Sequence, residues 1–312
     1  MFYANCHMHS KYSDGDLSVS DLVKNGKEMG FGAMILTDHD TVKGYKSFKT
    51  ECEVNNIVTR IGCEFSCRAF RKSIHICGFD FDAEHPEMKG LLEYQSARGR
   101  ERYRFLFNRA KEKGLIKKGL VWENISDFYP ENDYLYSYHA FWTGVKMGIY
   151  SEDESEDFYK LFKTTDLDRA YIDSATARYA LEPGTVVRAI NASGGVAVVA
   201  HPGGLERYLD EFLAIGVKGF EVNHCENTDE TVEFFDRVCS ERGLYKFGGT
   251  DHSGRLAGLY EPELDERGGM TREDLESFFG TKVFLDLWVK VKTNWRDDVV
   301  NLGNFGFNKN DL

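Results

Sequence analysis

Short apolar runs alternate with amphipathic, helix-length segments over the first 80 residues and again from residue 183. No other feature constrains the fold of this 312-residue chain as tightly. Phe2–Cys6 reads as a strand, and Ser18-x-x-Asp21 ahead of Leu22 and Val23 reads as a capped helix start. Ala33–Thr37, Ile57–Phe65 and Ser73–Phe79 read as further strands, with a helix over Thr41–Asn55. From Pro183 the pattern gives a helix at Thr185–Ala192, the strand Val196–Ala200 and a helix at Arg207–Ile215. A strand at Val217–Asn223, a helix at Asp229–Arg242 and a strand at Tyr245–Gly249 follow. Strands alternating with helices of about a dozen residues predict parallel βα units.

The rhythm breaks from Leu91 to about Leu181, where the sequence is charged, aromatic and helical in period. The reading is therefore one α/β unit made of residues 1–90 and 183–312, with a mainly helical insertion over 91–182. The tail after residue 281, including Val283–Val291, gives no assignable pattern. Arg98 to Lys118 holds nine basic residues against two acidic ones, a local +7 in a chain whose remainder sums to −19. Such a run is either a solvated helix face or a positive lid over an anionic substrate.

The net charge of −12 argues against a protein that coats long nucleic acid or an anionic membrane. The seven cysteines are odd in number and form no C-x-x-C pair, so reduced thiols in a cytoplasmic protein are expected. The N-terminal residues do not resemble a signal peptide, and no apolar run approaches the roughly 20 residues of a membrane span.

Chemistry collects at the strand ends. The first strand runs into His7-x-His9 and Ser13-Asp14-Gly15, the second into Thr37-Asp38-His39-Asp40, and the third carries Gly62-Cys63-Glu64. The fourth begins near His75, and later strands run into His201-Pro202, Asn223-His224 and Thr250-Asp251-His252. In parallel α/β folds such residues gather on one face. Any one alone is weak, since an isolated His201 reads equally as a turn residue, but six or seven successive strand ends with ligand-type side chains point to metal binding. Imidazole and carboxylate without thiolate suit zinc, manganese or iron. The number of candidate ligands exceeds what one ion takes, so two or three divalent ions are expected, with Glu64 a natural bridge.

These motifs, in this order and spacing, resemble the PHP (polymerase and histidinol phosphatase) family of metallo-phosphoesterases, across about 1–90 and 183–260. The resemblance implies a distorted (β/α)7 barrel with a di- or trinuclear centre. It implies His7, His9, Glu64 and Asp251 around one metal, Asp14, His39 and Glu64 around a second, and Glu64, His75 and His201 around a third. The family's last motif is Asp-x-His, whereas here Asp251 is followed directly by His252, with Ser253 in the usual His position. His252 is thus either a ligand or general acid, or a peripheral residue. His139 matches a histidine of family relatives and is either a phosphate contact and leaving-group acid or a helix-packing residue. Arg98 and Arg102 are candidate substrate contacts in the basic run, His224 is a third, and Asp38 and Asp40 read as partners of the ligands. The preferred activity is hydrolysis of a small phosphomonoester, a nucleotide or sugar phosphate, by metal-activated water. A 5′-3′ exonuclease acting on oligonucleotides, an amidohydrolase and a non-catalytic metal-binding module are the alternatives.

Overall fold

The computed structural model describes residues 3–251 except 16, 29, 30, 134, 163, 164, 176 and 225. His252, Ser253 and the tail after 281 lie outside the described residues. The chain opens with β1 (Tyr3–Asn5), α1 (Val19–Glu28), β2 (Phe31–Met34), α2 (Tyr45–Asn55), β3 (Gly62–Ala69) and β4 (Lys72–Phe79). Five helices follow: α3 (Pro86–Glu112), α4 (Trp122–Phe128), α5 (Ser137–Lys146), α6 (Ser155–Phe162) and α7 (Thr165–Ile172). Then come α8 (Pro183–Ala192), β5 (Val196–Val199), α9 (Leu209–Ala214), β6 (Gly219–Asn223), α10 (Asp229–Arg242) and β7 (Tyr245–Gly248). The α1 start is the capping arrangement read from sequence, with the Asp21 N–H donating to Ser18 Oγ at 3.1 Å.

The fold is α/β, but the strand pairing does not show the expected seven-stranded barrel of parallel units. Strands pair as a two-stranded parallel sheet, β1-β2, and a five-stranded mixed sheet ordered β3-β4-β5-β6-β7. β4 is antiparallel to both β3 and β5, whereas β5, β6 and β7 are parallel. The reason is local: Phe70 and Arg71 take φ of 53° and 62° and fold β3 directly back on itself. A two-residue turn of this left-handed kind normally calls for Asn-Gly, which is why it is not visible in the sequence. Phe70 stacks on Tyr208 at 3.6 Å between centroids, packing that offsets the strained backbone. Hydrogen bonds join the two sheets on both sides, among them Cys6 N–H to the Gly248 carbonyl at 3.2 Å and Glu64 N–H to the Thr37 carbonyl at 3.2 Å.

All four β5 residues are buried, because the strand is covered on both faces. Val196 and Val198 pack toward β1-β2, with Cys6, Ala33 and Ile35, while Ala197 and Val199 pack with Ile190 of α8 and Phe235 of α10. The same period of two operates in β6: Phe220 and Val222 join the helix-side core, which turns Glu221 to the opposite, interior face. The helices α3–α7 hold an apolar cluster of their own, including Phe107, Ile125, Phe141, Phe158 and Tyr171. Thr41 Oγ donates to Asp133 Oδ2 at 2.7 Å and Lys43 pairs with Asp133 at 2.8 Å, tying the helical segment to the β2–α2 connection. Among the described residues no helix is long and apolar enough to cross a membrane, and the six described cysteines are buried thiols.

Gly249 follows β7 where the chain passes His7. A Cβ there would overlap the backbone nitrogen and the Cβ of His7. Gly249→Ala is therefore expected to lower stability by about 1–3 kcal/mol, the usual cost of overpacking, as measured by denaturant unfolding.

Candidate metal centre and active site

The parallel strands aim their C-terminal ends the same way, and the side chains that follow them meet around one carboxylate. Glu64 is 1% exposed. Its N–H is held by the Thr37 carbonyl, and its own carbonyl accepts the Asp40 N–H at 2.9 Å, so the segment after β2 lies along β3. Glu64 Oε2 lies 3.2 Å from His7 Nε2, 3.3 Å from His9 Nε2 and 3.1 Å from His39 Nδ1. Glu64 Oε1 lies 2.8 Å from His75 Nδ1 and 3.1 Å from His201 Nε2. His75 reaches the same face although β4 runs the other way, because residues 72–75 extend past the end of β5 and the His75 carbonyl accepts the Ala200 N–H.

Asp251 joins from β7. Its N–H donates to the His7 carbonyl at 2.9 Å, and Asn5 ties the same two segments through Thr250. Asp251 Oδ1 lies 2.8 Å from His9 Nε2 and 3.4 Å from His7 Nε2. Asp14 stands 3.7 Å from both His9 and His39. Asp38, read from sequence as a partner rather than a ligand, accepts from the Ser10 N–H and from the Ser10 and Ser13 hydroxyls at 2.6–2.7 Å. That fixes the loop bearing His9 and Asp14, and burial pushes the Asp38 carboxyl up to about 6. Asp40 Oδ1 likewise accepts from the Ser66 N–H and the Gln95 amide. Asp40, His201 and Asp251 all adopt left-handed φ, of 55°, 29° and 49°. Such strain in non-glycine residues clusters at functional sites.

The donor atoms group in sets that one cation could hold: His7, His9, Glu64 and Asp251; His7, Glu221 and His224; His9, Asp14 and His39; and His39, Glu64 and His75. Buried His7 Nε2, His9 Nδ1, His39 Nδ1 and Glu64 Oε2 lack hydrogen-bond partners. Buried polar atoms are seldom left so. Divalent cations held in more than one of these sets would satisfy them, and an all-nitrogen and oxygen donor set suits zinc, manganese or iron.

The charges interlock. Burial opposes charge on His7, yet Glu221, Glu64 and Asp251 overcome it and hold its pKa well above the usual range. Burial likewise opposes charge on Glu64, but the surrounding His39, His7 and His75 keep it well below the ordinary carboxylate range. Asp251 is lowered in the same way, against burial, by His7, His224 and His9.

Beside the cluster opens a cavity of about 900 Å³, walled on one side by His9, His39, Glu64, His75, His201 and Asp251. Arg98 and Arg102, one turn apart on α3, line it from the helical side, and Arg178 lines it too. Arg98 Nε is buried without a hydrogen-bond partner, whereas Arg178 is engaged by Glu101 at 2.9 Å. The rest of the basic run does not form a lid: Arg104 and Arg109 pair with Glu123 and Glu112. Tyr103, Tyr136, Tyr138, Tyr159, Tyr171 and Tyr179 complete the wall.

Two sequence-based candidates sit elsewhere. His139 is fully buried at the third position of α5 and does not reach the cavity wall. Its Nδ1 accepts the Tyr136 N–H at 2.8 Å, capping α5, and burial pushes its pKa down to about 3. His224 is also off the cavity wall: its Nδ1 accepts the Glu226 N–H and its Nε2 lies 3.3 Å from Asp251 Oδ2. His252, the third residue in doubt, lies outside the described residues. Sequence reasoning missed Glu221, which touches His7 and His201. The available signal was a lone charge in an otherwise uncharged buried strand.

The family model for the PHP domain matches residues 5–152. That stretch of the chain therefore carries the PHP domain pattern. Among relatives of this chain, the 5′-3′ exoribonuclease of Haemophilus influenzae is 27% identical over 252 residues, covering 78% of this chain and 88% of its own. The 5′-3′ exoribonuclease Rnm of Salmonella typhimurium is 27% identical over 258 residues, covering 78% and 83%. Two solved structures share the fold. One is a protein from Bifidobacterium adolescentis described as a metal-dependent phosphoesterase, with TM-score 0.68 and 21% identity over 88% of this chain and 94% of that one. The other is an amidohydrolase from Chromobacterium violaceum with bound sulfate, with TM-score 0.65 and 22% identity over 80% and 87%.

The protonation pattern has a measurable consequence. His7, His9 and His75 are all raised, against burial, by neighbouring carboxylates, so the metal-free cluster favours their protonated forms. A metal ligand must be neutral imidazole, so cation uptake releases protons and weakens as pH falls. Titration calorimetry of Mn²⁺ or Zn²⁺ in buffers of different ionisation enthalpy is expected to show net proton release at pH 7. Binding without proton release would contradict this charge assignment.

Proposed function

We propose that this protein is a metal-dependent phosphoesterase that acts on the 5′ end of short RNA, cleaving phosphodiesters from that end. The observation that carries the reading is the make-up of the cavity. One wall is the histidine–carboxylate cluster, and the other combines Arg98 and Arg102 with a series of tyrosines. Arginine suits phosphate and tyrosine faces suit bases, so a wall of both matches a nucleotide chain rather than a phosphate alone. The volume lies at the upper end of the range for ligand pockets, about 300–1,000 Å³. The two relatives named 5′-3′ exoribonuclease, aligned along most of their length, support the same substrate class. A mononucleotide or sugar phosphate would use the same phosphate contacts but leave much of the cavity to water.

In this reading His7, His9, Glu64 and Asp251 hold one divalent ion, Asp14 and His39 contribute to a second, and His75 and His201 complete the set on the far oxygen of Glu64. Bound cations supply Lewis acidity toward phosphoryl oxygens and lower the pKa of water. Arg98 and Arg102 orient the phosphate against the cluster and offset its charge. The tyrosines stack on bases and exclude bulk water. The acidic exterior fits a substrate that enters by its end rather than one bound along its length.

The test is a substrate panel with Mn²⁺ present: 5′-phosphorylated oligoribonucleotides, their 3′-phosphorylated counterparts, mononucleotides and p-nitrophenyl phosphate. Successive release of mononucleotides from the 5′ end is expected. Fast turnover of monoesters with the oligoribonucleotide left intact would return the assignment to a phosphomonoesterase. Amide or lactam turnover alone would make it an amidohydrolase. Glu64→Ala is expected to abolish hydrolysis while circular dichroism remains that of the folded chain. Arg98→Ala is expected to lower kcat/KM about 10- to 100-fold, equivalent to roughly 1.4–2.7 kcal/mol.

A further inference from the structure

Glu221 is the one charged residue of β6 and is 3% exposed. Both its oxygens approach His7 Nδ1, at 3.0 and 3.1 Å, and Oε2 also accepts the His201 backbone N–H at 2.8 Å. Its two partners stand on different oxygens of Glu64: His7 Nε2 is 3.2 Å from Oε2, and His201 Nε2 is 3.1 Å from Oε1. One buried carboxylate therefore grips a histidine at each end of the central carboxylate.

Each grip does something different. A carboxylate at Nδ1 selects the tautomer with the proton on Nδ1, which leaves the His7 Nε2 lone pair for a cation. That Nε2 is the buried atom without a hydrogen-bond partner. At His201 the bond is to the backbone of a residue at φ 29°, a conformation a non-glycine residue keeps only when its surroundings hold it there. We propose that Glu221 is the positioning residue that sets the tautomer of His7 and the backbone of His201, and thereby the spacing of cation ligands on the two oxygens of Glu64. This rests on reading the cluster as a site for divalent cations.

The requirement is for an anionic acceptor at His7 Nδ1 that also holds the His201 backbone. Glu221→Gln removes the negative charge and puts an NH2, which cannot accept, in place of one of the two oxygens facing His7 Nδ1, so the preference for a proton on Nδ1 is weakened. Mn²⁺ affinity, measured by calorimetry and by chelator competition on the full chain, is expected to fall about 10- to 100-fold. The melting temperature of the metal-free chain is expected to change far less than such a loss of affinity implies. Nitrogen-15 spectra of histidine-labelled wild type with Zn²⁺ are expected to show His7 protonated at Nδ1 and ligated through Nε2. This second measurement needs no variant to fold. Wild-type Mn²⁺ affinity in folded Glu221→Gln, or His7 ligated through Nδ1, overturns the proposal. A variant whose affinity falls only in proportion to its loss of folded protein overturns it too, since Glu221 is then merely structural. No Mn²⁺ or Zn²⁺ uptake by wild type would overturn the cation reading itself, an outcome distinct from wild-type uptake that the substitution leaves unchanged.

Discussion

A carboxylate buried to 1% exposure is the constraint on which the rest of this site depends. An isolated ionised carboxylate in a protein interior is costly, and it either neutralises or acquires positive partners. Glu64 acquires them: five imidazoles lie within 3.3 Å of its two oxygens, and it is held well below the ordinary carboxylate range despite burial. His7 in turn favours its charged form because Glu221, Glu64 and Asp251 face it, whereas burial pulls His39 the other way. Protons and divalent cations are interchangeable solutions to this one electrostatic problem. The metal-free cluster and the metal-bound cluster can therefore share a geometry.

The fold supplies the convergence cheaply. Strands that share a direction end on one face, so a ligand placed after each of β1, β2, β5 and β7 reaches the same point without a long loop. The antiparallel hairpin adds Glu64 and His75 from mid-strand positions by extending beyond its neighbours. Period-two alternation turns Glu221 inward from a strand whose Phe220 and Val222 belong to the helix-side core. Gly249, lacking a side chain, lets β7 lie against His7 and delivers Asp251.

What could be read from the residues follows the range of the interactions. Strand ends with His or Asp are local patterns, and His7, His9, His39, Glu64, His75, His201 and Asp251 do meet. The α1 cap and α10 (Asp229–Arg242) are likewise local. The hairpin was hidden because its turn, Phe70-Arg71, lacks the residues that favour left-handed backbone and is held instead by packing on Tyr208, 137 positions on. His139 could not be placed from sequence because a motif histidine and a capping histidine look identical there; its bond to the Tyr136 N–H and its burial appear only in the fold. Glu221 was overlooked because its partners, His7 and His201, are 214 and 20 residues away.

The charge distribution resolves in the same terms. A chain of net charge −12 repels polyanions at long range, but that field is screened within about 8 Å at physiological ionic strength. Inside the cavity the local balance differs. Arg98 and Arg102 face inward because residues four apart share a helix face, while Arg104 and Arg109 on the same helix pair with Glu123 and Glu112. Cations on the cluster add positive charge at the wall opposite these arginines. An anion that penetrates a few ångströms thus passes from a repulsive exterior to an attractive interior. For the function proposed above, that profile would favour a phosphate at a chain end over one in the middle of a long strand, because only an end can enter without bringing its remaining phosphates against the acidic surface.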